Sequence, residues 1–283
     1  MTSSSDRRGV ALIVVLLLLG VLGMVAAEVG GAARLEGHLV VTLRARTVAR
    51  YAAESGVLAA TARVEALLDS VRAPIARPVM FHRLAAYVGP LKDVDIGGAR
   101  FTVAFSDLNA RLDLNRGDSR ALRALFGQFT TQSRAEVIVA GLRSRPLGRM
   151  GELVAVPGVD EELALAVAPY VTVWSDGMVN VNSAPEPVLA ALPGLGEANA
   201  RSLVGQREAG AVFLPSVQAQ PPQGTQIVFA TAPPGVVVTT APRRLLVISR
   251  GWQQGSPLTH EIQAVYAVVG AQLLLQVWQE RDL

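Results

Sequence analysis

Few residues in this chain have the type and spacing to do chemistry. There is no cysteine, which removes structural disulfides, thiolate nucleophiles and Cys-ligated zinc. The three histidines, His38, His82 and His260, lie far apart in sequence and give little support to a metal site or a catalytic triad. Each reads as a lone surface or packing residue. No nucleophile–base pair stands out, so the chain does not read as an enzyme and no catalytic or metal-binding residue is assigned. Two features do invite chemistry. One is the Gly9-Val10 peptide bond, placed between Arg7-Arg8 and an apolar run. The other is a pair of Pro-Gly turns, Pro157-Gly158 and Pro193-Gly194, each leading into a helical segment where exposed backbone amides could hold a phosphate.

The element that positions the first feature is the run Val10 to Ala27, which no Asp, Glu, Lys or Arg interrupts before Glu28. About eighteen residues at 1.5 Å each nearly cross a hydrocarbon core of roughly 30 Å. Three readings compete for it. Met24-Val25-Ala26-Ala27 could end a cleaved secretory signal. The run could be a plain membrane anchor. The third reading, preferred here, rests on the glycine between the arginines and the apolar run. It resembles the class III prepilin leader, cut after the glycine, which makes Val10 the N-methylated first residue of the mature chain. Arg7 and Arg8 favour a cytoplasmic N-terminus. Arg34, Arg44, Arg46 and Arg50 argue the other way but lie past Glu28.

The 283 residues leave room for an anchor and one or two domains, and a 51% hydrophobic content is ample for a core. A net charge of +3 gives no basic patch. From Leu35 to about Ser70, Ala, Leu, Arg and Glu predict a helix, with Leu39 and Leu43 at helical spacing and Arg50-Glu54 as an i,i+4 pair. With the anchor it reads as one long helix, loosened near Gly30-Gly31, and Pro74 and Pro78 should end it. Ala99 to Phe105 predicts a strand with Phe101, Val103 and Phe105 on one side. Residues 218–234 read as a long loop; Val236–Thr240, Arg244–Ser249, Glu261–Val269 and Leu273–Trp278 read as strands.

The middle of the chain echoes itself twice. Leu112-Asp-Leu-Asn115 followed by Ala121 to Gly127 matches Val179-Asn-Val-Asn182 followed by Val188 to Gly194. Both predict a short strand, an Asn turn and a helix, and carry no site of their own. Leu153 to Val159 before Glu161–Val167 matches Leu189 to Gly196 before Glu197–Arg207, with Ala164 and Ala200 on the inner faces. This second pattern resembles the helix-hairpin-helix motif. Asp160, Glu161, Glu162 and Glu197 stand where a phosphate would approach, so the hairpins read as scaffold and no nucleic acid is expected.

Taken together, Arg8-Gly9-Val10-Ala11-Leu12-Ile13, Leu153 to Val159 and above all Val179-Asn-Val-Asn-Ser-Ala-Pro185 with Val188 to Leu192 resemble the GspK family of minor pseudopilins in type II secretion. The resemblance implies an α+β, pilin-like fold: a long N-terminal helix plus antiparallel sheet, with a large inserted α-helical domain containing helix-hairpin-helix-like units. It divides the chain into a prepilin leader at 1–9, a transmembrane part at 10–28 and a periplasmic helix at 29–73. Then come the first part of the pilin-like domain at 74–115, the insert at 116–210 and a C-terminal β part at 211–283. It implies an inner-membrane, single-pass protein with a periplasmic globular part, assembling with the other minor pseudopilins (H, I and J type) and the major pseudopilin after the prepilin peptidase has cut it. Its role is to start and cap the pseudopilus. No cofactor is expected. The family's calcium-linked acidic loop has no counterpart in Gln132 to Arg149, and Asp107, Asp113 and Asp118 are widely spaced among arginines, which puts calcium in doubt. The alternative is a membrane-anchored helix-hairpin-helix DNA-binding protein or a minor type IV pilin.

Overall fold

A computed structural model of the chain describes residues 4–71, 73–84, 89–214, 227–229 and 238–283, with side chains except at 4–14, 27, 29–35, 74 and 227–229. In chain order the first elements are α1 (Ser4–Ser70), α2 (Arg77–His82), β1 (Val94–Asp95), β2 (Ala99–Asp107), β3 (Leu112–Asp113), α3 (Ser119–Gly127) and α4 (Gln132–Ser144). They are followed by α5 (Glu161–Val167), β4 (Val171–Thr172), β5 (Val179–Asn180), α6 (Glu186–Ala190), α7 (Gly196–Glu208), β6 (Val212–Leu214) and β7 (Ile227–Phe229). The last are β8 (Val238–Thr239), β9 (Arg244–Gln253), β10 (Thr259–Val269) and β11 (Gln272–Asp282).

α1 buries a narrow stripe: Ala45, Ala49, Ala52, Ala53, Val57, Ala60, Val64 and Leu68 recur every three or four residues. The stripe lies on a five-stranded antiparallel sheet of order β1-β2-β9-β10-β11. Alternation along β2 sends Phe101 and Val103 into this core, with Phe105 half-buried beside them. Leu245 and Val247 of β9 and Ile262, Ala264 and Tyr266 of β10 complete it.

Helix and sheet approach to backbone contact. A Cβ on Gly251 of β9 would collide with the Ala49 carbonyl oxygen and the Ala53 nitrogen, and one on Gly56 would collide with Ser249 and Phe101. Alanine and glycine on both sides of the crossing are what allow the two elements to pack this closely.

β2 and β9 are neighbours in the sheet, pairing from Ala99↔Gln253 to Asp107↔Leu245. The chain between them is therefore an excursion, and it builds its own core from residues such as Leu122, Leu125, Phe126, Ile138, Leu189 and Phe213. Leu108, Leu246 and Val265, with Trp174 packed on them, join this part to the outer face of the sheet.

Several sequence expectations are corrected here. α1 is the one long helix expected, but it runs unbroken through Gly30-Gly31, where the sequence predicts a loosened junction. Two glycines cost about 1 kcal/mol each relative to alanine, which the helix formers on either side offset. Neither proline ends α1, which stops at Ser70; Pro74 opens a 3-10 turn and Pro78 lies in the first turn of α2, where a missing N–H costs nothing. The described part of the expected loop 218–234 is a strand, β7, pairing in parallel with β6. The rest of that stretch, like residues 236 and 237 of the expected strand after it, lies outside the described residues. β11 extends past the expected end at Trp278 to Asp282, because its partner β10 begins at Thr259.

The expected membrane span, 10–28, lies only partly within the described side chains. Among the described residues no helix is long and apolar enough to cross a membrane. Side chains 15–26, 28 and 36–44 are all exposed, and Ala45 is the first buried residue along the described part of α1.

The close crossing gives a direct test. Gly251→Ala should destabilise the fold by about 1–3 kcal/mol, as overpacking does. The measurement is the urea midpoint at unchanged m value; an unaltered midpoint would mean that the backbone contact is not needed.

Candidate functional site

The two Asn turns singled out in the sequence are built alike. Asp113 Oδ1 accepts the N–H of Asn115 at 2.9 Å, and Asn180 Oδ1 accepts the N–H of Asn182 at 3.0 Å. Each asparagine side chain then clamps one distant residue. Asn115 donates to the Leu147 carbonyl at 2.9 Å and accepts its N–H at 2.8 Å. Asn182 donates to the Phe213 carbonyl at 2.7 Å and accepts its N–H at 2.8 Å, and also donates to the Thr240 carbonyl at 2.7 Å. The strands before the turns match as well. Leu112 pairs in parallel with Val171, and Val179 with Val238, the same number of residues downstream in each case. The excursion therefore contains one strand–turn–two-helix unit twice, and the asparagines hold each unit closed.

A second polar centre ties this part to the sheet. Asn109 is fully buried. Its amide donates to Asp176 at 2.7 Å and to the Met178 carbonyl at 2.9 Å, and its oxygen accepts the N–H groups of Arg243 and Arg244, both at 2.8 Å. Arg243 pairs with Asp176 at 2.5 Å. One side chain thus joins the end of β2 to the start of β9. Beside it, Asp107 accepts from Asn180 at 2.7 Å and from the Ser183 hydroxyl. Burial pushes the Asp107 and Asp113 carboxyls above the usual range, against the hydrogen bonds they accept.

The three carboxylates weighed for calcium are not brought together as ligands. Asp107 and Asp113 are committed to the turns above, and Asp118 caps α3 through the Arg120 N–H at 2.6 Å. Among the described residues no group of three or more His, Asp or Glu could hold a metal ion.

Both Pro-Gly hairpins form, with Gly158 at φ +86° and Gly194 at φ +79°. The first is occupied by its own chain. Asp160 caps α5 through the Leu163 N–H at 2.9 Å, while Arg134 reaches the Gly158 carbonyl at 2.6 Å and Asp160 at 2.5 Å. Arg134 holds the Asp160 carboxyl below its usual range. At the second hairpin Glu197 lies in the first turn of α7, Arg201 pairs with Glu186 at 3.3 Å, and Arg207 donates to the Val181 carbonyl at 3.1 Å. These contacts make the turns packing elements. Ala200 is buried and Ala164 packs against the same core.

Sequence spacing reads the histidines as lone residues. His38 is exposed on α1, and His82 ends α2. His260 is not alone: its ring nitrogens lie 2.7 Å from Asp282 and 3.3 Å from Glu280. The signal that could have found this is hairpin register, which sets His260 opposite Asp282. Gly9 and Val10 lie within α1, and their side chains, like that of Val14, fall outside the described set.

Residues 179–239, which include the second Asn turn, match the family "Type II secretion system (T2SS), protein K". A chain of a crystal structure of the GspK-GspI-GspJ complex from the enterotoxigenic Escherichia coli type II secretion system shares the fold at a TM-score of 0.59. Identity is 16%, over 88% of this chain and 99% of that chain. No curated protein matches the chain. The fold expected from the resemblance to protein K, α+β with a long first helix, antiparallel sheet and helical excursion, is the fold observed.

Removing the clamps should cost in proportion to what each leaves unpaired. Asn115→Ala strands two backbone groups of Leu147 and Asn182→Ala strands three groups, at about 1–3 kcal/mol for each one buried. Arg201→Ala, at an exposed pair, should change stability by less than about 0.5 kcal/mol. Urea denaturation of the three variants checks the order; equal stability of Asn182→Ala and Arg201→Ala would remove the clamp from the account.

Proposed function

We propose that this chain is a minor pseudopilin of type II secretion, acting in assembly. The observation that carries the reading is the division of α1. Its C-terminal part is buried on the sheet from Ala45 onward, while the described side chains before it are exposed, and those from Val15 to Val25 and from Leu39 to Val41 are apolar. A stem of that kind needs an apolar surrounding, either lipid or the stems of other subunits. The protein K match and the shared fold agree with this reading.

In this reading the prepilin peptidase cuts between Gly9 and Val10 on the cytoplasmic side. The stem is held in the inner membrane as a single pass, and the head lies in the periplasm. The partners are the H-, I- and J-type minor pseudopilins, together with the major pseudopilin. The matched structure is itself a complex with GspI and GspJ. The chain caps the fibre tip and helps to start it. Counting from Val10, the fifth residue is Val14, and no acid occurs from there until Glu28. The stem therefore brings no carboxylate to neutralise the amine of an adjoining subunit, a charge that is costly to bury unpaired. A subunit with neighbours on one side only has no such need.

Two measurements test the proposal. Intact-mass analysis of the protein from cells should give a mature chain starting at Val10 with one methyl group, and substituting Gly9 with a bulky residue should leave the precursor. A mature start near Glu28 would identify a secretory signal and remove the stem. Cross-linking in assembled fibres should find this chain at one end; copies repeated along the shaft would overturn the capping role.

A further inference from the structure

We infer that His260 makes the attachment of the C-terminal strand to the stem helix dependent on pH. The site is a junction of three elements. From β11, Asp282 and Glu280 face His260 of β10; from α1, Arg46, Arg50 and Glu54 face the same carboxylates, with Tyr51 beside them. Arg46 Nε donates to Asp282 at 2.6 Å. Arg50 Nε lies 3.0 Å from Glu54 and 3.3 Å from Glu280. The Trp278 indole N–H adds a bond to Glu280 at 2.6 Å. On β9 the residue opposite His260 is Gly251, which brings no charge.

The His260 side chain is 8% exposed, and each of its ring nitrogens meets a carboxylate oxygen. An ionised carboxylate only accepts hydrogen bonds, and a neutral imidazole has one N–H. Both contacts are hydrogen bonds only when the ring is protonated. Arg46, Arg50 and His260 then balance Glu54, Glu280 and Asp282. Loss of the ring proton leaves one carboxylate contact without a donor and the junction with a net negative charge.

The sign follows from the two kinds of group. The second hydrogen bond to the ring needs the added proton, so that contact is present in acid and is lost with the proton as pH rises. Asp282 and Glu280 are held below their usual range, Asp282 chiefly by its bond to His260 and Glu280 chiefly by its bond to Trp278. Their contribution is present above the ordinary carboxylate range and lost as pH falls through the lowered values. The attachment is therefore firmest in mildly acidic solution. It sits beside Ala45, where α1 leaves the sheet, so weakening it frees the stem at its base.

The test is hydrogen exchange on the full chain in detergent, with amide protection normalised at each pH to the unstructured rate. Protection across 272–283 should fall about tenfold between about pH 5.5 and about pH 8, as expected for loss of a charged hydrogen bond. His260→Gln should abolish that dependence, whereas His38→Gln and His82→Gln should keep it. Because His260→Gln could perturb folding, NMR of labelled histidine supplies a second readout: Asp282→Asn should move the His260 titration midpoint to lower pH. Unchanged protection over that range in the natural chain, persistence of the dependence in His260→Gln, or an unmoved midpoint in Asp282→Asn would each overturn the inference.

Discussion

Where α1 crosses β9 the two backbones touch, and everything else in the head is arranged around that contact. Gly251 meets the Ala49 and Ala53 backbone, and Gly56 meets Ser249 and Phe101. Larger residues at these positions would lift the helix and open the layer that Phe101, Val103 and Val247 fill. The stripe on α1 widens from alanine at the crossing to Val57, Val64 and Leu68 beyond it. Close approach near the base of the stem and fuller side-chain packing further along hold this helix, together with the Arg46 and Arg50 contacts to β11.

The excursion between β2 and β9 begins and ends on adjacent strands, so a sheet of ordinary antiparallel pairing carries a second core without being broken. Such an arrangement needs the two exits fixed to one another. Asn109 does this by bonding both to the Asp176–Met178 segment and to the first amides of β9. The repeated Asn clamps play the same part inside the excursion, each replacing a missing backbone ladder with a side chain that both donates and accepts.

Local pattern made much of this legible. Alternation placed Phe101 and Val103, helical spacing placed the Arg50-Glu54 pair, and the two Asn turns were visible as an echo. What the echo could not show was the residue each asparagine reaches, because Leu147 and Phe213 are brought there by tertiary packing of the segments that follow α4 and α7. The charged junction was hidden for the same reason: Arg46 and Asp282 lie far apart in the sequence. β7, inside a stretch of Gln, Pro and Ala, has no periodic signal of its own and forms by pairing with β6.

β11 is an edge strand, paired on one side only, and its end lies beside the point where α1 departs. Edge strands fray from their ends, and the stem leaves the sheet at that same corner. Hydrophobic contact alone is weak there, since Leu275 and Trp278 remain partly exposed. A network of charges is better suited to such a corner than a larger apolar contact would be. It acts over the short distance between a helix and an exposed strand end, it does not require a dry interior, and it loosens in response to solution conditions without disturbing the core beneath.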